Sequence, residues 1–272
     1  MSGQSINKNA ASFGWGALIG SLGGLIGLGG AEFRLPVLVA RFRLPTLEAV
    51  ILNKAMSLVV VAFALLFRGG AIPYADLLSH ADIAINLLAG SLVGAWWAAG
   101  HAMRLSRQML DRVILVLLVM LALVILAEAW LGAHDGGAPL IADGALRWAV
   151  GLVAGLFIGM VAALLGVAGG ELLIPTLVLL YGLDIKLAGS LSLMVSLPTM
   201  IVGFARYRES NAFAALKRER GLLVWMAAGS ILGAAIGGLM LGVIPSAWLL
   251  SGLGIILLVS AIKVFQHTRA AA

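Results

Sequence analysis

Two glutamates stand out because each lies in an apolar stretch of the chain. Glu32 and Glu171 each follow a glycine cluster and precede a short apolar segment. A carboxylate in the first turn of a helix interacts favourably with the positive helix end, which predicts a helix-capping role. An acidic side chain inside a membrane is also a candidate carrier of a proton or cation. The sequence leaves both roles open, and they are compatible.

The glycines beside these glutamates are the first candidates for contact with a ligand, and they are Gly29, Gly30, Gly169 and Gly170. Glycines at a helix start leave backbone N–H groups open to an anion. Small residues also allow two helices to pack closely, so packing and substrate contact both remain open. Other glycines recur every four residues, as in Gly16 and Gly20 and in Gly155 and Gly159, and these predict helix packing.

Cationic side chains in the apolar segments are further candidates for binding an anion. Lys54 lies in an apolar helix, next to Asn53 and one turn before Ser57, and Arg34 follows the first glycine cluster. A cation in the membrane is costly unless it is paired, hydrated or near a helix end. Lys54 and Arg34 are therefore predicted either to snorkel to the membrane surface or to bind the substrate. Asn53 and Ser57 are candidate polar ligands beside Lys54.

Two serines of the second half provide neutral donors. Ser192 and Ser196 lie one helical turn apart, which favours either helix–helix hydrogen bonds or contacts to an anion. The chain has no cysteine and its four histidines show no metal-ligand spacing. Without H-E-x-x-H, G-x-S-x-G or Walker A motifs, the sequence predicts no catalytic residue, no metal, no cofactor and no enzyme activity.

Composition places these residues in a membrane protein. Of the 272 residues, 62% are hydrophobic and only 11% are charged, which is too apolar for a soluble domain. Several uncharged runs are long enough to cross a bilayer as helices. The sequence predicts an all-α polytopic membrane protein in contact with the lipid bilayer. The net charge of +6 is assigned to short cytoplasmic loops and not to nucleic-acid binding.

The two halves of the chain resemble each other. A shift of 139 residues places residues 19–39 over 158–178 with nine of 21 positions identical, including Glu32 over Glu171 and Pro36 over Pro175. The same shift places AGSLVGA at 89–95 over AGSILGA at 228–234. We therefore predict a transmembrane repeat at 1–133, a periplasmic linker at 134–144 and a second repeat at 145–272.

Each half contains about four full transmembrane helices and one short or broken helical segment. The predicted spans of the first half are 11–30, 48–67, 82–103 and 109–131, with a short segment at 33–44. Those of the second half are 146–168, 187–205, 221–242 and 246–265, with a short segment at 171–182. A segment of about 12 residues is too short to cross the membrane as a helix.

Loop charges indicate that the repeats are inverted. The basic loops 104–112 and 206–220 are not matched in the other half, since 67–81 has only Arg68 and 243–251 has no charge. Because Lys and Arg accumulate in cytoplasmic loops, the two halves are predicted to have opposite orientations. Both termini and both basic loops are then cytoplasmic, and the linker is periplasmic.

The motif G-x-G-G-x-E-x-x-x-P in each half resembles the TauE/SafE family. It is carried by Gly27, Gly29, Gly30, Glu32 and Pro36, and by Gly166, Gly169, Gly170, Glu171 and Pro175 in a slightly altered form. The hydroxyl-rich stretch AGSLSLMVSLP at 188–198 also resembles this family. The first half departs from the pattern, since it has Arg34 and Asn53-Lys54 where the second half has Leu173 and Ser192-Leu193.

This resemblance implies a transporter of the bacterial plasma membrane, linked to export of sulfite and organosulfonates. The sequence therefore predicts a secondary transporter for a small anion such as sulfite, a sulfonate or a related organic anion. Coupling to a proton or cation is expected through Glu32 or Glu171. A non-transporting membrane subunit and an intramembrane enzyme of unrecognised type are the alternatives. The sequence leaves homo-oligomer formation open.

Overall fold

The computed structural model describes residues 2–26, 30–68, 77–131 and 139–239, and the single positions 251, 255 and 258. Over these ranges the chain forms ten α-helices and one 3-10 helix, and no strand. The α-helices are α1 (Ser2–Ile26), α2 (Ala31–Ala40), α3 (Thr46–Arg68), α4 (Ala81–Ala102), α5 (Arg107–Leu131), α6 (Ala145–Leu165), α7 (Gly170–Tyr181), α8 (Ile185–Tyr207), α9 (Ala215–Arg218) and α10 (Arg220–Leu239), and the 3-10 helix η1 is Asn211–Ala214. The all-α prediction is confirmed.

The helices of this part of the chain include four that are long and apolar enough to cross a membrane, within α3, α4, α6 and α8. A fifth span is formed if the segments Asn211–Arg218 and Arg220–Ile236, which meet at an angle of 71°, count as one. The polytopic membrane fold is therefore confirmed. Most of the predicted span at 246–265 and residues 134–138 of the linker lie outside the described residues.

The two predicted short segments are short helices. α2 has 10 residues and α7 has 12, and each contains a proline, Pro36 or Pro175. At 1.5 Å per residue they are about 15–18 Å long, which is well below the hydrocarbon thickness of a bilayer. Neither α2 nor α7 is therefore long enough to span the membrane by itself.

Glycines bring the long helices into close contact in two pairs, α1 with α10 and α4 with α6. A Cβ atom added to Gly16 or Gly20 would lie 2.2–2.3 Å from a carbonyl oxygen of α10. One added to Gly155 or Gly159 would lie 2.1–2.3 Å from a carbonyl oxygen of α4. No side chain fits at such distances, so the predicted packing role of these glycines is confirmed.

Helix α3 lies at the centre of the bundle and contacts α2, α6, α8 and α10. Its residues Ala49, Val50, Ile51, Leu52 and Met56 are completely buried. The polar residues interspersed among them on α3 are therefore held inside protein and kept away from lipid.

Candidate functional site

Each short helix begins at a glycine that the backbone conformation requires. Gly30 precedes α2 with φ 69° and Gly169 precedes α7 with φ 85°, both in the left-handed region that side chains other than glycine rarely adopt. A Cβ on Gly30 would also lie 2.5 Å from the carbonyl oxygen of Ile19. Helix α6 ends at Leu165, and the next residue, Gly166, has φ 68°. These glycines allow the chain to break one helix and start another in the bundle.

The candidate glycines have a structural role where they are described. Gly170 is the first residue of α7 and is buried. Gly29 lies outside the described residues. Backbone N–H groups at a helix start can bind an anion. Contact of these glycines with a substrate stays a prediction.

The two glutamates meet inside the protein. Glu32 and Glu171 lie in the first turns of α2 and α7 and are 0% and 3% exposed. Their carboxyl groups are neighbours, close enough for each to act on the other. Neither carboxyl accepts a hydrogen bond of ordinary geometry from any described residue. Both glutamates therefore lie in the first turn of a helix, and their capping role stays a prediction.

Arg34 holds a hydrogen-bonded network between α2 and α3. Its Nη1 donates to Oδ1 of Asn53 at 3.4 Å and to Oγ of Ser57 at 3.2 Å, and its guanidinium is also near the carboxyl of Glu32. The side chain is completely buried, so the snorkelling alternative for Arg34 is wrong. Three of the predicted ligands are thereby brought together with one of the glutamates.

Asn53 connects the two helix breaks. Its Nδ2 donates to the carbonyl oxygen of Ala31 at 2.9 Å and to that of Leu165 at 3.1 Å. Ala31 begins α2 and Leu165 ends α6, so a single amide links the short helix of the first half to the break in the second half. This is a positioning role, which the sequence did not distinguish from substrate binding.

Lys54 is buried at the end of α6 and is completely inaccessible to solvent. Its Nζ donates to the carbonyl oxygen of Ala162 at 3.1 Å and lies against Gly203 of α8, where an added Cβ would be 3.3 Å from Nζ. Within the described part of the chain no carboxylate forms an ion pair with it. The snorkelling alternative for Lys54 is therefore wrong, and its ammonium group has donors to spare.

The predicted serines of α8 are buried but do not join this network. Ser192 donates to the carbonyl oxygen of Gly189 in its own helix at 2.9 Å. The hydroxyl of Ser196 has no hydrogen-bond partner among the described residues. Neither serine makes the helix–helix hydrogen bond that was one alternative. Thr199 on the same helix does, through Ser91 at 2.6 Å.

One residue near the site was missed by the sequence reasoning. Tyr207 is completely buried and donates to the carbonyl oxygen of Ala163 at 3.1 Å, next to the carbonyl that accepts from Lys54. Its place at the end of an apolar helix, beside Arg206 and Arg208, is typical of an aromatic residue at the membrane interface. The sequence carried no signal that it instead turns inward to the end of α6.

Comparison with known proteins identifies the second half of the chain. A family model described as sulfite exporter TauE/SafE matches residues 151–271. Searches of curated proteins and of solved structures gave no match. The predicted resemblance is therefore confirmed over this region, and the family is one of transporters and not of enzymes.

Proposed function

Because residues 151–271 match the family model of the sulfite exporter TauE/SafE, we propose that this membrane protein is a secondary transporter of a small anion. The substrate we propose is sulfite, a sulfonate or a related organic anion. The proposed site lies between the two halves, where α2 and α7 begin and where Lys54 and Arg34 are buried. The coupling ion we propose is a proton, carried by the pair Glu32 and Glu171.

The observation that carries this proposal is the buried ammonium group of Lys54. A charged group in the interior is costly unless it is paired and hydrogen-bonded. The described chain gives Lys54 a single carbonyl acceptor, Ala162, and no carboxylate. Bound anion would provide the missing counter-charge and accept the remaining N–H donors. Arg34 differs, because Asn53 and Ser57 already accept from it.

Serine and backbone donors complete the proposed site. The free hydroxyl of Ser196 is buried on α8, the helix against which Lys54 lies. The starts of the two short helices carry partial positive charge and backbone N–H groups. Ser192 is a weaker candidate, because its hydroxyl already donates within α8. Neutral donors of this kind hold an anion without adding a buried charge.

The glutamate pair supports a proton-coupled cycle. Two ionised carboxylates in one buried site repel each other, so such a pair tends to retain a proton. The same two carboxylates would also repel a bound anion. Protonation of the pair would thus favour anion binding, and anion release would favour proton release, which is the linkage that coupled transport needs.

We also propose that the halves are inverted repeats, as the swapped basic loops predict. The glycine contacts support this proposal. Gly16 and Gly20 contact Met226 and Ser230, whereas Gly155 and Gly159 contact Leu87 and Ser91. Every residue of one contact lies 139 positions from its equivalent in the other: Gly16 corresponds to Gly155, Gly20 to Gly159, Leu87 to Met226 and Ser91 to Ser230. The helix pairs α1–α10 and α6–α4 are therefore packed in equivalent register, as two related units facing each other would be.

Anion flux into liposomes that contain only this protein tests the proposed function. We expect the purified chain to move radiolabelled sulfite or a short alkylsulfonate, with faster uptake when a pH gradient is imposed. Empty liposomes measure the leak. Liposomes with the same protein but a neutral sugar of similar size measure non-specific permeability. Anion uptake equal to the leak for both anion types, under every imposed gradient, would contradict the proposal and favour a non-transporting subunit.

The proposed orientation is tested by cysteine labelling, since the chain has no native cysteine. We expect Gly137→Cys in the linker to react with a membrane-impermeant thiol reagent from the periplasmic side. Asn211→Cys, in the basic loop 206–220, is expected to react only after the membrane is opened, because basic loops stay in the cytoplasm. Labelling of both positions from one side of intact cells would show that the inverted arrangement is wrong.

A further inference from the structure

An open cavity of about 520 Å³ lies beside α3 and the basic loop 206–220. Its walls come from α3, α8, α9 and α10. The apolar lining includes Ala55, Leu58, Val59, Phe204 and Leu223. Its apolar walls and few charged residues are the combination that a ligand with both an apolar and a charged part would need.

Two cations stand at the mouth of this cavity. Lys217 and Arg220 line it where α9 meets α10, at the 71° bend between the segments Asn211–Arg218 and Arg220–Ile236. Both side chains are exposed. In the described part of the chain neither forms an ion pair with a carboxylate.

Two of their basic neighbours are paired with carboxylates, whereas Arg208 is exposed and forms no ion pair with the described residues. Arg206 pairs with Glu209, and Arg218 pairs with Glu48 and also lies 3.6 Å from Glu219. Glu219 in turn accepts from Lys8 at 2.7 Å. The acidic residues at this end of the bundle thus stabilise the loop, while the positive charge beside the apolar cavity is left for an external partner.

We propose that this cavity binds an anionic phospholipid, with an acyl chain against α3 and α8 and the phosphate on Lys217 and Arg220. The apolar walls match an acyl chain, and the two cations match a headgroup that carries negative charge. A small anion such as the transported substrate would gain little here, because the walls offer it no neutral donor and cannot replace its hydration. The lipid fills the groove beside the helix that carries Lys54, and so stabilises the packing of α3, α8 and α10.

The experiment compares lipid binding by the purified full chain in detergent. The probes are phosphatidylglycerol and phosphatidylcholine with identical acyl chains, and the readouts are retained lipid in native mass spectrometry and the thermal unfolding midpoint. We expect the wild type to prefer phosphatidylglycerol and to be stabilised by it. Lys217→Gln/Arg220→Gln should lose about thirtyfold of this preference, since each cation near an anionic lipid contributes about fivefold.

A matched control removes the same charge elsewhere on this surface. Arg104→Gln/Arg208→Gln changes two exposed basic residues that do not line the cavity and should keep the preference. Ala55→Phe fills the apolar part while leaving both cations, and should reduce retention of both lipids. An equal loss in the control pair would overturn the proposal in favour of diffuse surface attraction.

Soluble ligands separate the lipid from a free anion. Glycerol phosphate and sulfite are added in place of lipid, to the wild type and to the Lys217→Gln/Arg220→Gln variant. We expect neither to raise the unfolding midpoint in a way that depends on Lys217 and Arg220. If either does so as strongly as phosphatidylglycerol, the cavity is a site for a free anion and the lipid proposal is wrong. None of these readouts requires transport, so the lipid proposal is tested independently of the proposed function.

Discussion

Lys54→Met is expected to weaken anion binding by about tenfold to a hundredfold, the usual loss when a hydrogen bond to a charged group is removed. Methionine keeps most of the volume and the flexible shape of lysine and removes only the charge and the donors. The binding constant for sulfite or an alkylsulfonate is measured on purified protein by calorimetry. Because lysine is buried at this position without a carboxylate, the variant should fold at least as well as the wild type.

The control for Lys54 is Lys8→Met, which removes a surface lysine that is paired with Glu219. An exposed ion pair contributes little, so both stability and anion affinity should stay close to wild type. The thermal midpoint separates the structural role of Lys54 from its proposed role in anion binding. A variant with a lower midpoint and unchanged affinity would show that Lys54 only secures the end of α6 through Ala162, and that the anion site lies elsewhere.

Hydropathy and glycine patterns predicted the long helices and the two short segments, but not η1 and α9 within the basic loop 206–220. The short segments at 33–44 and 171–182 correspond to α2 and α7, and the observed helices Ala81–Ala102 and Ala145–Leu165 begin within a residue of their predicted starts. Apolar runs in a membrane protein have few alternatives to a helix, because every backbone polar group must be satisfied inside the segment. Helix α1 was predicted from residue 11 but begins at Ser2. The prediction used only the apolar run, whereas the helix also includes the polar residues Asn7-Lys8-Asn9 that precede it.

The contacts between the polar residues could not be predicted from the sequence. The repeat placed Glu32 and Glu171 at equivalent positions, but not side by side. That contact depends on where two short helices start relative to each other, which long-range packing decides. The contrast between Asn53-Lys54 and Ser192-Leu193 was visible as a departure between the halves. Its consequence, that Asn53 and Lys54 bind carbonyl oxygens at the end of α6, required the structure.

The candidate ligands fall into two groups, those that form the network around α3 and those that do not. Residues on α3 and α2 form one connected group, because α3 is the central helix and α2 packs against it. Ser192 and Ser196 were included by their helical spacing alone. A serine inside a helix often donates to a carbonyl oxygen of the preceding turn, as Ser192 does, and no spacing rule distinguishes such a serine from a ligand.

Glu32→Gln and Glu171→Gln are expected to abolish proton-driven accumulation of the anion while leaving anion exchange intact. Gln keeps the shape of the side chain and removes the titrating group, so each variant breaks the pair of neighbouring carboxyls. One pH unit across the membrane supplies about 1.4 kcal/mol per proton. For an electroneutral cycle with one proton per anion, the wild type should therefore accumulate its substrate about tenfold per pH unit. The variants should show no accumulation.

Counterflow, in which internal unlabelled anion drives entry of labelled anion without a pH gradient, provides the internal control, because it needs the site but not the proton. Glu209→Gln removes an exposed carboxylate in the ion pair with Arg206 and should behave as wild type in both assays. Loss of counterflow together with accumulation would place the glutamates in folding or in the anion site itself. Retention of wild-type accumulation by both variants would leave Glu32 and Glu171 with only their interaction with the starts of α2 and α7, and the proton pathway would have to run through other groups.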